Sequence, residues 1–122
     1  MAKKSILVIS LVLSPSPTTS AMQAAVGAAI KRASEVGYRV ESYGVNTADF
    51  NPVQDFRNFL RGRTWEGVMI GWGIRGMQEH TELFEKLVNV VLADVTPTPK
   101  FIFSTNPNGF VNAIQRVLGN EI

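Results

Sequence analysis

Histidine occurs once in the 122 residues, at position 80, and cysteine does not occur. Imidazole chemistry in this chain therefore runs through His80 alone. Without thiols there is no disulfide, no thiolate metal site, no iron–sulfur cluster and no cysteine nucleophile. One imidazole does not build a histidine-rich cage, so no metal is expected. Near His80 in the sequence stands Gly71-Trp72-Gly73-Ile74-Arg75-Gly76. Arg75 can offer a planar fork of donors to a carboxylate or phosphate, or it can pair at the surface with Glu79 or Glu82. The flanking glycines, Gly73 among them, suit close approach of backbone to a ligand or to a neighbouring loop. Read as a dinucleotide fingerprint the spacing is weak, because it follows the third strand-like run and no acidic residue closes a strand ~20 residues later.

Three further groups are candidates. Ser14-Pro15-Ser16-Pro17-Thr18-Thr19-Ser20 is a hydroxyl-rich segment before a helical pattern. Ser14 and Ser16 there could face an anion at a helix N-terminus, or the segment could be an ordinary stop and cap. Asn106, in Thr105-Asn106-Pro107-Asn108-Gly109, can orient a substrate. Glu85 and Asn89 lie on a stripe with Gln78 and Glu82, within a segment otherwise rich in Leu, Phe and Val. That stripe reads as a solvated face, or as a set of polar groups bonded to a loop, to Arg75 or to a partner. His80 opens the same segment. A neutral imidazole there can act as general acid and base or donate a hydrogen bond, or it can be a half-buried structural residue.

The elements that must position these residues alternate. Ser5–Leu13 reads as a first strand, continuous and β-branched, as expected of a strand covered on both faces. A helix capped by Thr18, Thr19 or Ser20 runs to about Glu35, with Met22, Ala25, Val26, Ala29 and Ala33 along one face, and Gly37 stops it. Tyr38–Val45 alternates as an edge strand does. Asn51 caps a second helix, Pro52 takes its first turn, Gln54 closes a capping box, and Val53, Phe56, Phe59 and Leu60 form its buried stripe. Gly67–Trp72 is the third strand and Gln78–Ala93 the third helix. Lys100–Thr105 is the fourth strand, and the fourth helix buries Phe110, Val111, Ile114, Val117 and Leu118 before Gly119. Four βα units in residues 1–122 predict a single α/β domain. Its expected form is a three-layer α/β/α sandwich with a four-stranded parallel sheet in the order 2-1-3-4, a shortened flavodoxin-like or Rossmann-like fold. In that order the switch falls between strands one and three, so the crevice lies at their carboxyl ends, beside that of strand four.

Composition bounds the partners. Apolar residues make up 45% and charged residues 18%, and the net charge is +2, which describes a globular chain and is too mild to imply nucleic acid. Arg57, Arg61 and Arg63 share the second helix, but no stacking platform or nucleic-acid motif accompanies them, so nucleic acid is not expected. No apolar run approaches the ~20 residues that span a bilayer. Lys3 and Lys4 before Ile6–Leu13, with Thr19-Ser20-Ala21 after it, imitate a secretory signal over residues 1–21. The run is short and broken by Ser10, and reads better as a strand. A cytoplasmic protein is expected.

From Trp65 onward the chain resembles a family of small uncharacterised bacterial α/β proteins. The resemblance rests on Trp65-Glu66-Gly67-Val68-Met69-Ile70-Gly71-Trp72-Gly73-Ile74-Arg75, on His80 with Leu83-Phe84-Glu85, on Leu87-Val88-Asn89-Val90-Val91, and on Phe103-Ser104-Thr105-Asn106-Pro107. It covers about half the chain. Trp72 departs from it, since a smaller residue usually stands between those glycines, and Ser104-Thr105 replaces an Asn-Thr turn. The resemblance implies an α/β sandwich with Arg75, His80, Glu85, Asn89 and Asn106 as its distinctive polar positions, and it implies no activity.

Two functions follow as expectations. In the first, the protein binds a small anionic or carbonyl-bearing metabolite, anchored by Arg75 and oriented by Asn106, with His80 as the group that would turn it over without a cofactor. In the second, the same crevice serves a non-catalytic module that takes a small ligand, FMN being the cofactor alternative, or another protein. The apolar third helix makes a homodimer contact credible there.

Overall fold

The computed structural model describes residues 4–12 and 15–119. Ile6, Leu7, Val8 and Ile9 are buried together, as a run without polar alternation must be when helices cover both faces of its sheet. They form the middle of β1 (Lys4–Leu11). The chain continues through α1 (Pro17–Glu35), β2 (Tyr38–Val45), α2 (Pro52–Leu60), β3 (Gly67–Ile70) and the single turn α3 (Trp72–Arg75). It closes with α4 (Thr81–Asp94), β4 (Lys100–Ile102) and α5 (Phe110–Leu118). The four strands make one sheet in the order β2-β1-β3-β4, and all the pairings are parallel.

Alternation sends side chains to two cores. Leu7, Ile9, Val68 and Ile70 meet Phe56, Leu60, Ile74, Leu87 and Val91 on the α2/α4 face. Ile6, Val8, Met69 and Ile102 meet Ala29, Ala33, Phe110 and Ile114 on the α1/α5 face. The step from β1 to β2 carries α1 to one face, and the opposite step from β2 to β3 carries α2 to the other. Both crossovers therefore have the same hand, as twisted parallel sheets require. The three-layer α/β/α sandwich read from the sequence is the observed architecture.

Several boundaries differ from those expected, each for a local reason. α1 begins at Pro17, because Ser16 caps it: Ser16 Oγ accepts from Thr19 N at 3.1 Å and Thr19 Oγ1 accepts from Ser16 N at 2.8 Å. Only Ala29 and Ala33 of its expected stripe are buried, and Met22 is half exposed. At α2, Asn51 Oδ1 caps Gln54 N at 3.1 Å as anticipated. Gln54 closes no box, however, because its side chain bonds Asn58 Oδ1 at 3.1 Å instead. β3 stops at Ile70 rather than Trp72. Beyond it the Gly71 carbonyl accepts from both Ile74 N and Arg75 N, at 3.1 and 3.0 Å, and coils the exit into α3. The third helix opens as a 3₁₀ turn over Gln78–His80 before α4. β4 ends at Ile102, three residues before the expected limit.

The two edges of the sheet are unlike. β4 has three residues, follows Pro97 and Pro99, and directs Phe101 and Phe103 outward, since Lys100 N points inward to Glu66 O at 3.0 Å. Arg116 Nη2 then covers the outward carbonyl of Phe103 at 2.7 Å. Shortness, proline and a charged cap are the usual means of blunting an edge. β2 has eight residues and no proline.

At the amino end of the sheet, Ser5 N and Ser5 Oγ both donate to Glu66 Oε1, at 2.9 and 2.8 Å, tying β1 to the residue before β3. The Ser5 amide holds the Glu66 carboxyl below its ordinary pKa, helped by the Ser5 hydroxyl and against a smaller effect of burial. A carboxylate with a depressed folded pKa stabilises the fold above its ordinary titration range. That contribution is lost as pH falls through the lowered folded value. We expect Glu66→Gln to lower the urea midpoint at neutral pH, and the loss to shrink as pH falls through the lowered folded value of Glu66. A loss that stays the same as pH falls would show that the contact acts through shape rather than charge.

Candidate functional site

The carboxyl ends of the strands carry the loops in which a ligand site is expected, and the β1/β3 switch is their centre. The residue that organises this end is Arg75. It closes α3, and its guanidinium lies over two aromatic rings, 4.9 Å from the centroid of Trp72 and 5.1 Å from that of Phe103. Arg75 Nη2 donates to the backbone carbonyl of Ser104 at 3.1 Å. Arg75 Nε is buried and has no acceptor. Neither Glu79 nor Glu82 pairs with it, and no carboxylate does among the described residues. Its positive charge is held by π faces and one carbonyl, each cation–π contact being worth about 0.5–2 kcal/mol.

Glycine makes the stack possible. A Cβ built on Gly76 would fall inside the Trp72 ring, so the indole lies directly on the Gly76 backbone. At Gly71 a Cβ would sit 3.3 Å from the Ile9 carbonyl, which lets α3 turn tightly against β1. Gly73 was expected to provide the close approach. It is exposed instead, and a Cβ there would touch only Leu11 Cδ1, at 4.0 Å. The close approaches are those of Gly71 and Gly76.

Phe103 extends the stack into the fold, 6.5 Å from Phe101 in parallel array and 6.3 Å from Phe84 edge-on. Ser104 Oγ donates to Asn106 O at 2.6 Å, folding the turn that presents the Ser104 carbonyl to Arg75. Arg75 and the loop of Asn106 are thus brought together across 29 residues of chain. The Asn106 side chain is exposed and makes only a long contact to Thr105 Oγ1, at 3.4 Å. His80 is half-buried at the cap position of α4, and its ring makes no hydrogen bond among the described residues. It shares this end of the sheet with Arg75 and Asn106, and among the described residues it makes a hydrogen bond to neither.

Other expected residues are occupied elsewhere. Ser16 gives both its hydroxyl and its amide to the capping box, and Ser14 lies outside the described residues. Glu85 and Asn89 are exposed, and Asn89 Nδ2 donates to the Glu85 carbonyl one turn back at 2.9 Å. They form the solvated face, with no bond to Arg75 or to a loop. Leu87, Val90 and Val91 of the same helix face the core, leaving Leu92 exposed. The sequence reading did not assign Trp72, Phe103 or Ser104 to the site. A tryptophan between two glycines at a strand exit was the available signal. The pairing with Phe103 is long-range and had none.

No family model, curated protein or solved structure matches the chain.

Two cavities open at the other end of the sheet. One, of about 480 Å³, is lined by Gln54, Arg57, Arg61, Gly62 and Asp94. Its acid is already taken, because Arg57 grips Asp94 with two bonds of 2.9 and 3.0 Å. The second, of about 580 Å³, lies below β1, β3 and β4 and includes Lys4, Trp65, Glu66 and Lys100. There Lys4 Nζ is bonded to the Leu118 carbonyl at 3.2 Å, and Glu66 is held by Ser5. Neither cavity includes His80 or Arg75. Among the described residues no cluster of His, Asp and Glu is placed to hold a metal, and no helix is long and apolar enough to cross a membrane.

The stack is open to a direct optical test, since Trp65 is 4% exposed and Trp72 is 48% exposed. Gly76→Ala must displace the Trp72 ring. We expect the variant to show red-shifted tryptophan emission and greater acrylamide quenching, with the far-ultraviolet dichroism unchanged. Emission identical to that of the parent protein would place the indole elsewhere.

Proposed function

We propose that this protein binds a small anionic or carbonyl-bearing metabolite in the crevice at the carboxyl ends of β1, β3 and β4, with Arg75 as its anchor. The observation that carries this reading is the state of Arg75: a cation with no carboxylate partner among the described residues, set over the rings of Trp72 and Phe103, its Nε lacking an acceptor. A buried donor without an acceptor costs about 1–3 kcal/mol. Nε is closed to solvent, so a ligand oxygen would meet the guanidinium through its outer Nη donors, in a charge-assisted bond. Asn106 is free to turn its amide toward a bound group from the adjacent loop. His80 is the one imidazole at this end and carries any acid–base step, so the reading requires neither metal nor cofactor.

A second reading, a non-catalytic module, is favoured by the exposed apolar residues of the same end. Val12, Met22, Phe50, Trp72 and Met77 are between 43% and 104% exposed. These side chains suit a planar ligand such as FMN, or a protein, better than they suit a small acid.

Pyruvate, benzoate, inorganic phosphate and FMN distinguish the readings. Titration of a carboxylate should quench Trp72 emission and raise the thermal midpoint. Arg75→Gln should weaken that binding about tenfold or more, the scale of a lost charged hydrogen bond. If Arg75→Gln binds as the parent does, the anchor is wrongly assigned. Quenching of FMN fluorescence, with no response to the acids, would select the second reading. For the catalytic step we expect exchange of the pyruvate methyl protons with deuterated solvent, followed by proton resonance. Exchange should vanish in His80→Gln while pyruvate affinity survives, and exchange that persists would remove His80 from the reaction.

A further inference from the structure

The contrast between the two sheet edges carries an inference independent of the ligand site. Val12 N donates to Val45 O at 2.9 Å, so Val45 and, by alternation, Tyr43, Glu41 and Arg39 direct their backbone groups inward to β1. Tyr38, Val40, Ser42 and Gly44 therefore direct theirs outward. Among the described residues nothing covers those amides and carbonyls. No proline interrupts them, no arginine caps them as Arg116 caps Phe103, and Ser42 and Gly44 are exposed on the α1 face. An edge left in this state is a template for another strand.

We propose that β2 pairs antiparallel with β2 of a second copy of this chain, joining the two sheets into one. The occupant is argued from register and charge. A two-fold axis at Glu41 sets Tyr38 opposite Gly44 and Val40 opposite Ser42. Every outward residue then faces an outward residue, and each such pair exchanges two backbone bonds. That register places Arg39 opposite Tyr43 of the second copy, with both side chains on the α2 face. The surroundings of Tyr43 are acidic: its hydroxyl pKa is raised by burial first, then by Asp55 and Asp49. The start of β2 is basic, with Arg39 beside Glu41 and Arg63 reaching Glu41 at 3.7 Å. An antiparallel copy thus sets the basic start of one strand against the acidic end of the other, twice by symmetry. At the axis the two Glu41 carboxylates meet. Each already accepts from Trp65 Nε1 of its own chain at 3.0 Å and pairs with its own Arg63, which limits their repulsion. A parallel or heterologous strand would lose this match of charge.

Two measurements test the contact. Sedimentation of the whole chain should give twice 13.4 kDa at micromolar concentration. Ser42→Pro removes an outward amide at a position where an edge strand tolerates proline, and Ser42→Lys adds the charge that protects natural edges. Both should sediment as monomers with unchanged dichroism. Arg39→Glu should raise the dissociation constant roughly tenfold, and adding Asp55→Arg should restore it. Independently of any variant, amide exchange should show protection at Tyr38, Val40, Ser42 and Gly44 that disappears on dilution. The inward amides of the strand should stay protected throughout. Several results would overturn the proposal: a monomer at all concentrations, fast exchange at those four amides, or a dimer that survives both Ser42 variants and is broken by Leu92→Glu on α4. Protection that appears only when another protein is added would also overturn it, because the occupant would then be foreign.

Discussion

β1 is the constraint on which the rest depends. It pairs with β2 along all eight of its residues and with β3 on its other side, helices cover both of its faces, and Ile6, Leu7, Val8 and Ile9 are all excluded from solvent. Even-numbered side chains hold the α1/α5 layer and odd-numbered ones hold the α2/α4 layer. A shift of one residue in β1 would exchange the two cores, so its register fixes both layers at once. Its position also sets where function is possible. Chain leaving β1 turns one way toward β2 while β3 lies on the other side, and the loops separate above that point. The bond from Gly71 N to the Ile9 carbonyl, at 2.9 Å, ties the start of α3 to the strand beside it.

What the sequence showed, and what it hid, divides by range of interaction. Strand order, layer arrangement and the Asn51–Pro52 start of α2 were legible because periodicity and capping act over a few residues. The start of α1 was misjudged by two to four residues because Ser16, Thr18, Thr19 and Ser20 are all competent caps. The reciprocal bonding of Ser16 with Thr19 decided among them. The strand-like composition of Gly71–Trp72 concealed α3, since a carbonyl that caps two amides leaves no compositional trace. The glycines around Arg75 mark it in the sequence, but the carboxylates that could pair with it there, Glu79 and Glu82, are near neighbours in the chain. Its actual partners, Phe103 and Ser104, come from the next βα unit. Likewise the stripe from Gln78 to Asn89 carries no sign of which side faces water until α2 is seen to cover the opposite face of α4.

The electrostatics of the crevice follow from that choice of partners. A carboxylate beside Arg75 would have cancelled its field. Aromatic rings orient the guanidinium through their quadrupoles and leave its net charge in place. The two rings also restrict where the guanidinium can lie, whereas an arginine on a surface salt bridge samples many positions. The α1 entrance has gone the other way. Pro17 lacks an amide, and Ser16 is engaged in its own cap, so the first loop contributes little to a positive field. The cations at this end are Arg75, over its two rings, and Arg116, on the Phe103 carbonyl.

The blunted β4 edge governs how far any assembly of this chain can extend. With proline before it, three residues of length and Arg116 bonded to the Phe103 carbonyl just past its end, β4 is a poor template for a further strand. A sheet with two receptive edges can add copies without end and grow into a fibre. A sheet with one receptive edge forms a closed pair or stays single. Three residues of edge strand and one arginine thus act as a chain terminator, protecting a protein with an uninterrupted eight-residue edge from polymerising.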